Sequence, residues 1–210
     1  TVDSVVGGHT YDHGDNSVGG GNIVGPSLAG DADVICNAGA WGGIPTSSCS
    51  NAENVVAGGF QGTSGNNAVA AGNIVDAPLA TPVEVLNGAY AWGGIPTSTM
   101  TEHKCITSGG DNNTDDDGGV VSSNIVTAPE AIGAQVMNIA GAWGGNPTSH
   151  GDFITHVHAG GADSATGKGG AVAGNVVDQA SSLPVQVNTI GATWGGNAEA
   201  IGTNVTEFTS

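Results

Sequence analysis

Arginine is missing from the sequence, and only two lysines, Lys104 and Lys168, stand against 19 acidic residues, so the formal net charge is −17. Proteins that bind nucleic acid neutralise phosphates with clustered Lys and Arg. Electrostatic attachment to an anionic membrane needs the same basic clusters. We therefore expect neither nucleic acid nor an anionic bilayer to be a partner of this chain.

Long apolar runs are missing too, and none approaches the roughly 20 residues that a membrane-spanning helix needs. We therefore expect no membrane insertion. The first residues contain neither the charged nor the apolar region of a signal peptide, and the chain begins at Thr1 without an initiator methionine. Together with the scarcity of Lys and Arg, this indicates a mature protein that is secreted, extracellular or held at the cell surface.

Aromatic residues make up only 4% of the chain, whereas glycine supplies 38 of its 210 residues. An ordinary globular core relies on large aromatic side chains, which are scarce here. Glycine weakens helices and is suited to turns and to closely packed backbone. The composition therefore predicts strands joined by turns rather than a helical domain.

A repeat of 51 residues is the most specific feature of the sequence. Four tryptophans recur at this interval without insertion, and a second marker keeps the same interval: Trp41, Trp92, Trp143, Trp194 and Asn22, Asn73, Asn124, Asn175. Such a period is typical of stacked repeats. We predict four tandem units, 1–51, 52–102, 103–153 and 154–210, of which the last also carries a C-terminal strand. The tryptophans and asparagines are expected to be the packing anchors.

Each unit contains two strand signals. An apolar pair such as Ile74-Val75 comes first, and an alternating segment such as Val83 and Val85 follows, which predicts a strand with one buried face. Pro82 and Pro184 fall where that strand should begin. The predicted fold is all-β, with four repeats sharing a stacked sheet or solenoid and Gly/Asp-rich loops between strands. Separate small β-domains on a string are the alternative.

The segment 72–85, GNIVDAPLATPVEV, is similar to the core motif of the chaplins, G-N-x-V-x-x-P-x-x-x-P-V-x-V. Chaplins are small secreted surface proteins of filamentous actinomycetes. The fourth unit keeps most of the motif but has Ala180 at the first proline, and the first and third units match more loosely. The resemblance implies a secreted β-rich protein that assembles into fibres or a coat. Chaplins typically carry a cysteine pair, which only the first unit could supply.

Three cysteines are present. Cys36 and Cys49 bracket the Trp41 loop of the first unit, and a disulfide between them would close a loop of about 14 residues and contribute roughly 3 kcal/mol. A disulfide suits an exported protein. A Cys49–Cys105 bridge between adjacent units is the competing pairing. If Cys36 pairs with Cys49, Cys105 is left unpaired or links subunits.

Two segments have residues that could bind metal. Asp111, Asp115 and Asp117 lie in an Asn- and Gly-containing stretch, and such oxygen donors suit Ca²⁺. His156 and His158 flank Val157, so on a strand they would share a face and could reach one transition metal. A solvated loop is the alternative for the aspartates, and the other units lack the His pair.

The sequence contains no nucleophile elbow, HExxH, P-loop or Rossmann fingerprint. No Asp, Glu or His occupies the same position in all four units, so the repeats share no titratable site. We therefore expect no enzyme. The leading hypothesis is a structural subunit that assembles with copies of itself, possible head-to-tail strand donors being 2–6 and 204–208. An extracellular Ca²⁺-dependent adhesin or glycan-binding module is the alternative.

Overall fold

The structure, a computed structural model, describes residues 1–210 and contains strands but no helices. The prediction of an all-β fold is confirmed. None of the chain forms a helix with the length and apolar character needed to cross a membrane. In chain order the strands are β1 (Val2–Val6), β2 (Thr10–His13), β3 (Ile23–Val24), β4 (Leu28–Ala29), β5 (Ala32–Trp41), β6 (Thr46–Ala57), β7 (Gln61–Ser64), β8 (Ile74–Asp76), β9 (Leu79–Ala80), β10 (Val83–Trp92), β11 (Thr97–Ser108), β12 (Asn112–Asp117), β13 (Val121–Ser122), β14 (Ile125–Thr127), β15 (Glu130–Trp143), β16 (Thr148–Ala159), β17 (Asp163–Lys168), β18 (Val172–Ala173), β19 (Val176–Asp178), β20 (Ser181–Trp194) and β21 (Glu199–Thr209).

Paired strands are parallel, and their partners lie 51 residues apart. Val2 pairs with Glu53, for example, and Trp92 pairs with Trp143. The chain therefore winds as a parallel β-solenoid in which each coil takes 51 residues. Neighbouring coils are separated by the spacing of parallel strands, about 4.8 Å.

Two long sheets form most of the solenoid. One has the strand order β1-β6-β11-β16-β21, and the other contains β5, β10, β15 and β20. Shorter ladders, β2-β7-β12-β17 and β3-β8-β14-β19, form the remaining sides of the coil. The pairing continues from coil to coil, so the four coils form a single stack.

Small side chains fill much of the interior between the two long sheets. One cluster is built from alanines of β4, β9 and β15 packed on aliphatic residues of β6, β11 and β16: Ala29, Ala80, Ala131, Val55, Ala57, Ile106, Val157, Ala159. A second cluster groups Cys36, Leu86, Met100, Met137 and Phe153. The narrow coil leaves room for few large residues, which accounts for the low aromatic content.

The alternating segment has the opposite orientation to the one its valines suggest. In β10, Glu84 and Leu86 are buried, whereas Val83 is 53% exposed. A strand of period 2 has two faces, and hydrophobicity alone places the valines inside. The structure places a carboxylate there instead, because Lys104 of β11 lies opposite it.

Pro184 differs from its predicted place. It lies within β20, opposite Gly133, rather than at the beginning of the strand. The Ser181 N–H donates to the Pro129 carbonyl of the preceding coil. Backbone groups of successive residues point to alternate sides of a parallel strand, so the backbone nitrogen of Pro184 faces the uncovered edge. A proline is tolerated there because no N–H donor is required.

Candidate assembly interface

The four tryptophans end β5, β10, β15 and β20 and form a stack on the outer surface. Their rings are 5.2, 5.0 and 4.9 Å apart between consecutive coils, with interplanar angles of 8°, 1° and 11°. The predicted anchors therefore pack against one another outside the core. We call this stack of Trp41, Trp92, Trp143 and Trp194 the tryptophan ladder.

Glycines after each tryptophan fix the position of the ladder. Gly42, Gly93, Gly144 and Gly195 have φ values between 78° and 82°, in the region that favours glycine. The second glycine of each pair packs tightly, since a Cβ at Gly94 would overlap the carbonyl oxygen of Gly43. The Trp-Gly-Gly sequence thus allows the turn and lets successive coils approach to strand spacing.

The tryptophan ladder borders an open groove of about 540 Å³, whose walls include Tyr90, Gly39 and Gly141. The indole faces between coils cover one another, so only their edges and the outer faces of Trp41 and Trp194 are free. A sugar ring binds an indole by stacking on its face. The ladder is therefore better suited to apolar contact along its edges than to stacking with a glycan.

Valines extend the apolar surface over the rest of this sheet. An outward row of four valines runs parallel to the tryptophan ladder: Val34, Val85, Val136, Val187. The opposite long sheet presents polar rows instead, such as Ser50, Thr101, Asp152 and Thr203. One side of the solenoid is thus apolar and the other polar.

The second sequence marker forms an asparagine ladder along the axis. Asn73 Nδ2 donates to Asn22 Oδ1 at 2.9 Å, Asn124 to Asn73 at 2.9 Å and Asn175 to Asn124 at 2.7 Å. The side-chain Oδ1 of Asn22 also accepts a hydrogen bond from the backbone N–H of Asn73 at 3.0 Å. Each coil therefore presents acceptors to one neighbour and donors to the other.

A second, buried asparagine pair was not predicted. Asn87 Nδ2 donates to Asn138 Oδ1 at 2.6 Å, and both residues have positive φ, 58° and 50°. They interrupt the strand pairing of β10 with β15. The backbone carbonyl of Asn87, which has no strand partner, accepts a hydrogen bond from the Ser149 hydroxyl of the facing sheet at 2.9 Å. The Ser98 hydroxyl donates in the same way to the backbone carbonyl of Cys36 in the first coil at 2.8 Å. The repeated Pro-Thr-Ser was the signal for this contact.

Buried charge was also missed. Lys104 is fully buried, with its Nζ 3.1 Å from a carboxyl oxygen of Glu53 and in contact with Glu84, whose pKa is the lowered one. Burial raises the pKa of Glu53 to about 8, and burial with the charge of Glu84 raises the pKa of Glu102 to about 7. Burial also acts on Glu84, but hydrogen bonding from Glu53 and the Lys104 charge hold its pKa below its usual value. No sequence pattern separates these residues from surface charges.

The predicted disulfide joins Cys36 of β5 to Cys49 of β6 across the interior of the first coil. That prediction is confirmed. Cys105 is a free, exposed thiol. The competing Cys49–Cys105 bridge does not form, because Cys105 lies on the outer face of β11 and the Cys49 side chain packs against the core inside the coil.

The predicted metal-binding residues lie on the outer surface. Asp115 and Asp117 share the exposed face of β12, and Asp115 accepts a hydrogen bond from Thr166. His156 and His158 share the exposed face of β16, with His156 3.1 Å from Glu207. Three acidic side chains come within 4.8 Å of one another elsewhere, in Asp31, Asp33, Glu53 and in Glu53, Glu84, Glu102. Neither predicted set forms such a group, and metal binding by them stays a prediction.

The outermost coils leave the same ladders uncovered on one side. Trp41 is 84% exposed and Trp194 is 70% exposed, whereas Trp92 and Trp143 are 50% and 49% exposed. A parallel strand without a neighbour also presents N–H and C=O groups without partners. These coil edges and the tryptophan ladder together make up the candidate interface.

The chain matches no protein-family profile, and no curated protein or solved structure shows significant similarity to it. The resemblance to chaplins therefore stays a prediction, and function has to be argued from the geometry.

Proposed function

We propose that this chain is a secreted structural subunit that stacks head-to-tail with copies of itself into an extracellular filament, fibre or surface coat. The observation that carries the proposal is that each boundary between coils uses the same parts. Backbone hydrogen bonds, the asparagine ladder and the tryptophan ladder recur with the same register. The two sides of a coil are therefore complementary to each other.

That complementarity is independent of which chain a coil belongs to. A coil at the edge of a stack offers donors and acceptors in the positions that a further coil would fill, and parallel strands add to such edges through their main chains. The steric zipper of ordered fibrils uses the same stacking of identical residues at strand spacing. Outside the positions that 206–209 of one copy and 2–5 of the next would both occupy, the outermost first coil of one copy matches the outermost fourth coil of another.

Acidity limits where such contact can occur. With a net charge of −17, two copies repel each other along most of their surface. The outermost coils carry acids of their own, such as Asp31 and Asp33 in the first coil and Glu199 and Glu207 in the fourth. Raised salt should therefore speed assembly, because the repulsion is screened.

A cysteine cross-link tests the head-to-tail register. Ser50 and Thr203 share an outward row but lie three coils apart within one chain, about 14 Å, too far for an intramolecular disulfide. In a head-to-tail stack Ser50 of one copy lies beside Thr203 of the next. The variant Ser50→Cys with Thr203→Cys, in a Cys105→Ser background, should form a disulfide-linked ladder of multimers under mild oxidation.

The matched control is Thr101→Cys with Thr203→Cys in the same background, which leaves the two thiols two coils apart at a junction. It should give no ladder of multimers. Electron microscopy of the cross-linked material should show filaments. Cross-linking of both variants to the same extent, or a chain that stays monomeric at high concentration, would refute the proposal.

A further inference from the structure

A narrow polar cavity, too small to hold a water molecule, lies inside the solenoid, away from the tryptophan ladder. It is enclosed where the corner after β11 faces the corner after β8. Asp76, Asn112, Thr127 and Asp163 line it together with glycine and proline residues, and no large apolar side chain contributes. The cavity spans three coils, since Asp76 belongs to the second, Asn112 to the third and Asp163 to the fourth.

Oxygen atoms in this cavity lack donors. Asp76 is 2% exposed, and no donor meets either carboxylate oxygen with good hydrogen-bond geometry, although the Gln61 amide and the Ala77 N–H lie nearby. Asn112 is also 2% exposed, and its Oδ1 has no donor. Gln61, whose side chain lies next to Asp76, has an Oε1 without a donor as well. Burying such groups without partners is costly, and each calls for a ligand.

The neighbouring donors are already used. Asn112 Nδ2 donates to Asp163 Oδ1 at 2.9 Å and to the Gly110 carbonyl at 3.2 Å. Thr127 Oγ1 lies 3.0 Å from Asp163 Oδ2 and 2.8 Å from Asp178 Oδ1, and its single proton serves one of these two carboxyl groups. The protons of these side chains are thus directed to Asp163 and Asp178. Apart from the Gln61 amide and the Ala77 N–H, only acceptors remain around Asp76.

Negative charge in the cavity has no cationic partner. Asp76, Asp163 and Asp178 are the acidic groups there, while Lys104 is bound to Glu53 and Glu84 in a different part of the interior and Lys168 is exposed. Burial raises the pKa of Asp76 to about 6, and the charge of Asp163 adds to the rise, although the Gln61 side chain and the Ala77 N–H oppose it. These acidic groups therefore have no base beside them.

We propose that this cavity is a Ca²⁺ site, with the Asp76 carboxylate and Asn112 Oδ1 as side-chain ligands. Carboxylate and amide oxygens are the ligands Ca²⁺ prefers, and it tolerates the irregular arrangement that a corner of backbone supplies. Asp163 accepts a hydrogen bond from Asn112 and so places a second acidic group beside the ligands. The site differs from the exposed aspartates of β12 that the sequence suggested.

Bound Ca²⁺ would join the second and third coils from inside and raise the stability of the folded chain by mass action. This inference does not depend on head-to-tail assembly, because all its ligands come from one chain. A monomer would bind Ca²⁺ as well as a filament does. The two proposals therefore fail separately.

Calorimetric titration of the full chain with CaCl₂, after EDTA treatment and at pH 7.5, tests the site. The wild type should bind one Ca²⁺ per chain and melt at a higher temperature with Ca²⁺ than with EDTA. Asp76→Asn, which keeps the size of the side chain, should weaken binding at least tenfold. The matched control Asp115→Asn removes one exposed carboxylate from β12 and should stay within twofold of the wild type.

The melting curve in EDTA shows whether Asp76→Asn is folded. If it is not, Asn112→Ala provides a second test, because it removes one ligand without changing the charge. No Ca²⁺ binding by the wild type, or equal loss in Asp76→Asn and Asp115→Asn, would overturn the assignment.

Discussion

Carboxyl groups inside the second coil set the response of this protein to pH. Glu53 and Glu102 are buried beside Lys104, three acids for one base once Glu84 is included. Removing ions from water is costly, and one lysine cannot neutralise three ionised carboxylates. The protein therefore keeps protons on part of this group, and the raised pKa values of Glu53 and Glu102 mark these two carboxyl groups as the ones that hold them.

Stability should therefore fall as the pH rises above about 5. The pKa values of Glu53, about 8, and Glu102, about 7, lie above the usual value of 4.5. A carboxyl group whose pKa is raised by folding contributes stability that is fully present below pH 4.5. This contribution is lost as the pH rises through the pKa values of the folded protein. The melting temperature should decrease between pH 5 and pH 8.5.

Repulsion between surface acids acts in the same direction, so a variant has to separate the two causes. Glu53→Gln keeps a hydrogen-bond donor but cannot ionise, and it should flatten the fall in melting temperature. Asp152→Asn removes an exposed acid and should leave the slope nearly unchanged. Parallel slopes in wild type and Glu53→Gln would contradict the role assigned to Glu53.

A second constraint at the residue scale is the positive φ of the row in which Asn87 and Asn138 interrupt the strand pairing. Asn87 and Asn138 accept it readily, but Thr189 occupies the same row in the last coil at φ 50°. A β-branched residue in this region is strained, whereas asparagine is among the residues that tolerate it. Thr189→Asn should therefore raise the free energy of unfolding by about 1 kcal/mol.

Denaturant unfolding checks this prediction, with Thr193→Asn as the control. Thr193 lies on the same strand without a positive φ, so its replacement should be neutral or slightly destabilising. A stabilisation of equal size in both variants would point to a general effect of asparagine on β20 and not to relief of strain.

Sequence reasoning identified the elements better than the interior. The 51-residue interval and the Val-rich segments are visible because they recur, and they indicated strands and the all-β class. The sequence did not reveal that Glu84 points inward, because this orientation depends on Lys104. That lysine lies on the next strand, β11, and comes to face Glu84 only when the chain has folded. The cavity acceptor Asp76 was missed for the same reason, since its partners Asn112 and Asp163 are 36 and 87 residues away.

The tryptophan ladder is an element that no single coil can form. An inner indole contacts two neighbours, as Trp92 does at 5.2 and 5.0 Å, whereas Trp41 contacts one. An aromatic pair contributes about 0.5–1.5 kcal/mol beyond its buried area. The ladder therefore adds to stability in proportion to the number of stacked pairs.

Trp92→Ala should destabilise the chain by roughly twice as much as Trp41→Ala, about 1–3 kcal/mol against half that. Both variants remove the same side chain from the same position of a coil, so the comparison isolates the second stacked pair. Denaturant unfolding gives the two free energies. Equal losses would mean that the indoles contribute individually, through the contacts each makes with its own coil.

At the scale of the whole molecule, the first and last strands occupy the same rows. β1 covers residues 53–57 of β6 and leaves 46–51 without a partner on that side. Thr206 lies in the row of Thr155, Lys104, Glu53 and Val2, and the following residues of β21 continue the match to β1. When β21 of one copy adds in register to β6 of another, its last residues and β1 compete for one edge.

Head-to-tail growth should therefore require β1 to leave β6, and fixing it there should stop growth. Val5 and Val56 are paired in register on the outer face, close enough for a disulfide when both are replaced by cysteine. In a Cys105→Ser background, oxidised Val5→Cys with Val56→Cys should stay monomeric in light scattering. Val56→Cys alone should assemble like its parent, because β1 remains displaceable. If the locked chain assembles as fast as this control, β1 is not in competition with β21, and copies must add through another part of the coil edge.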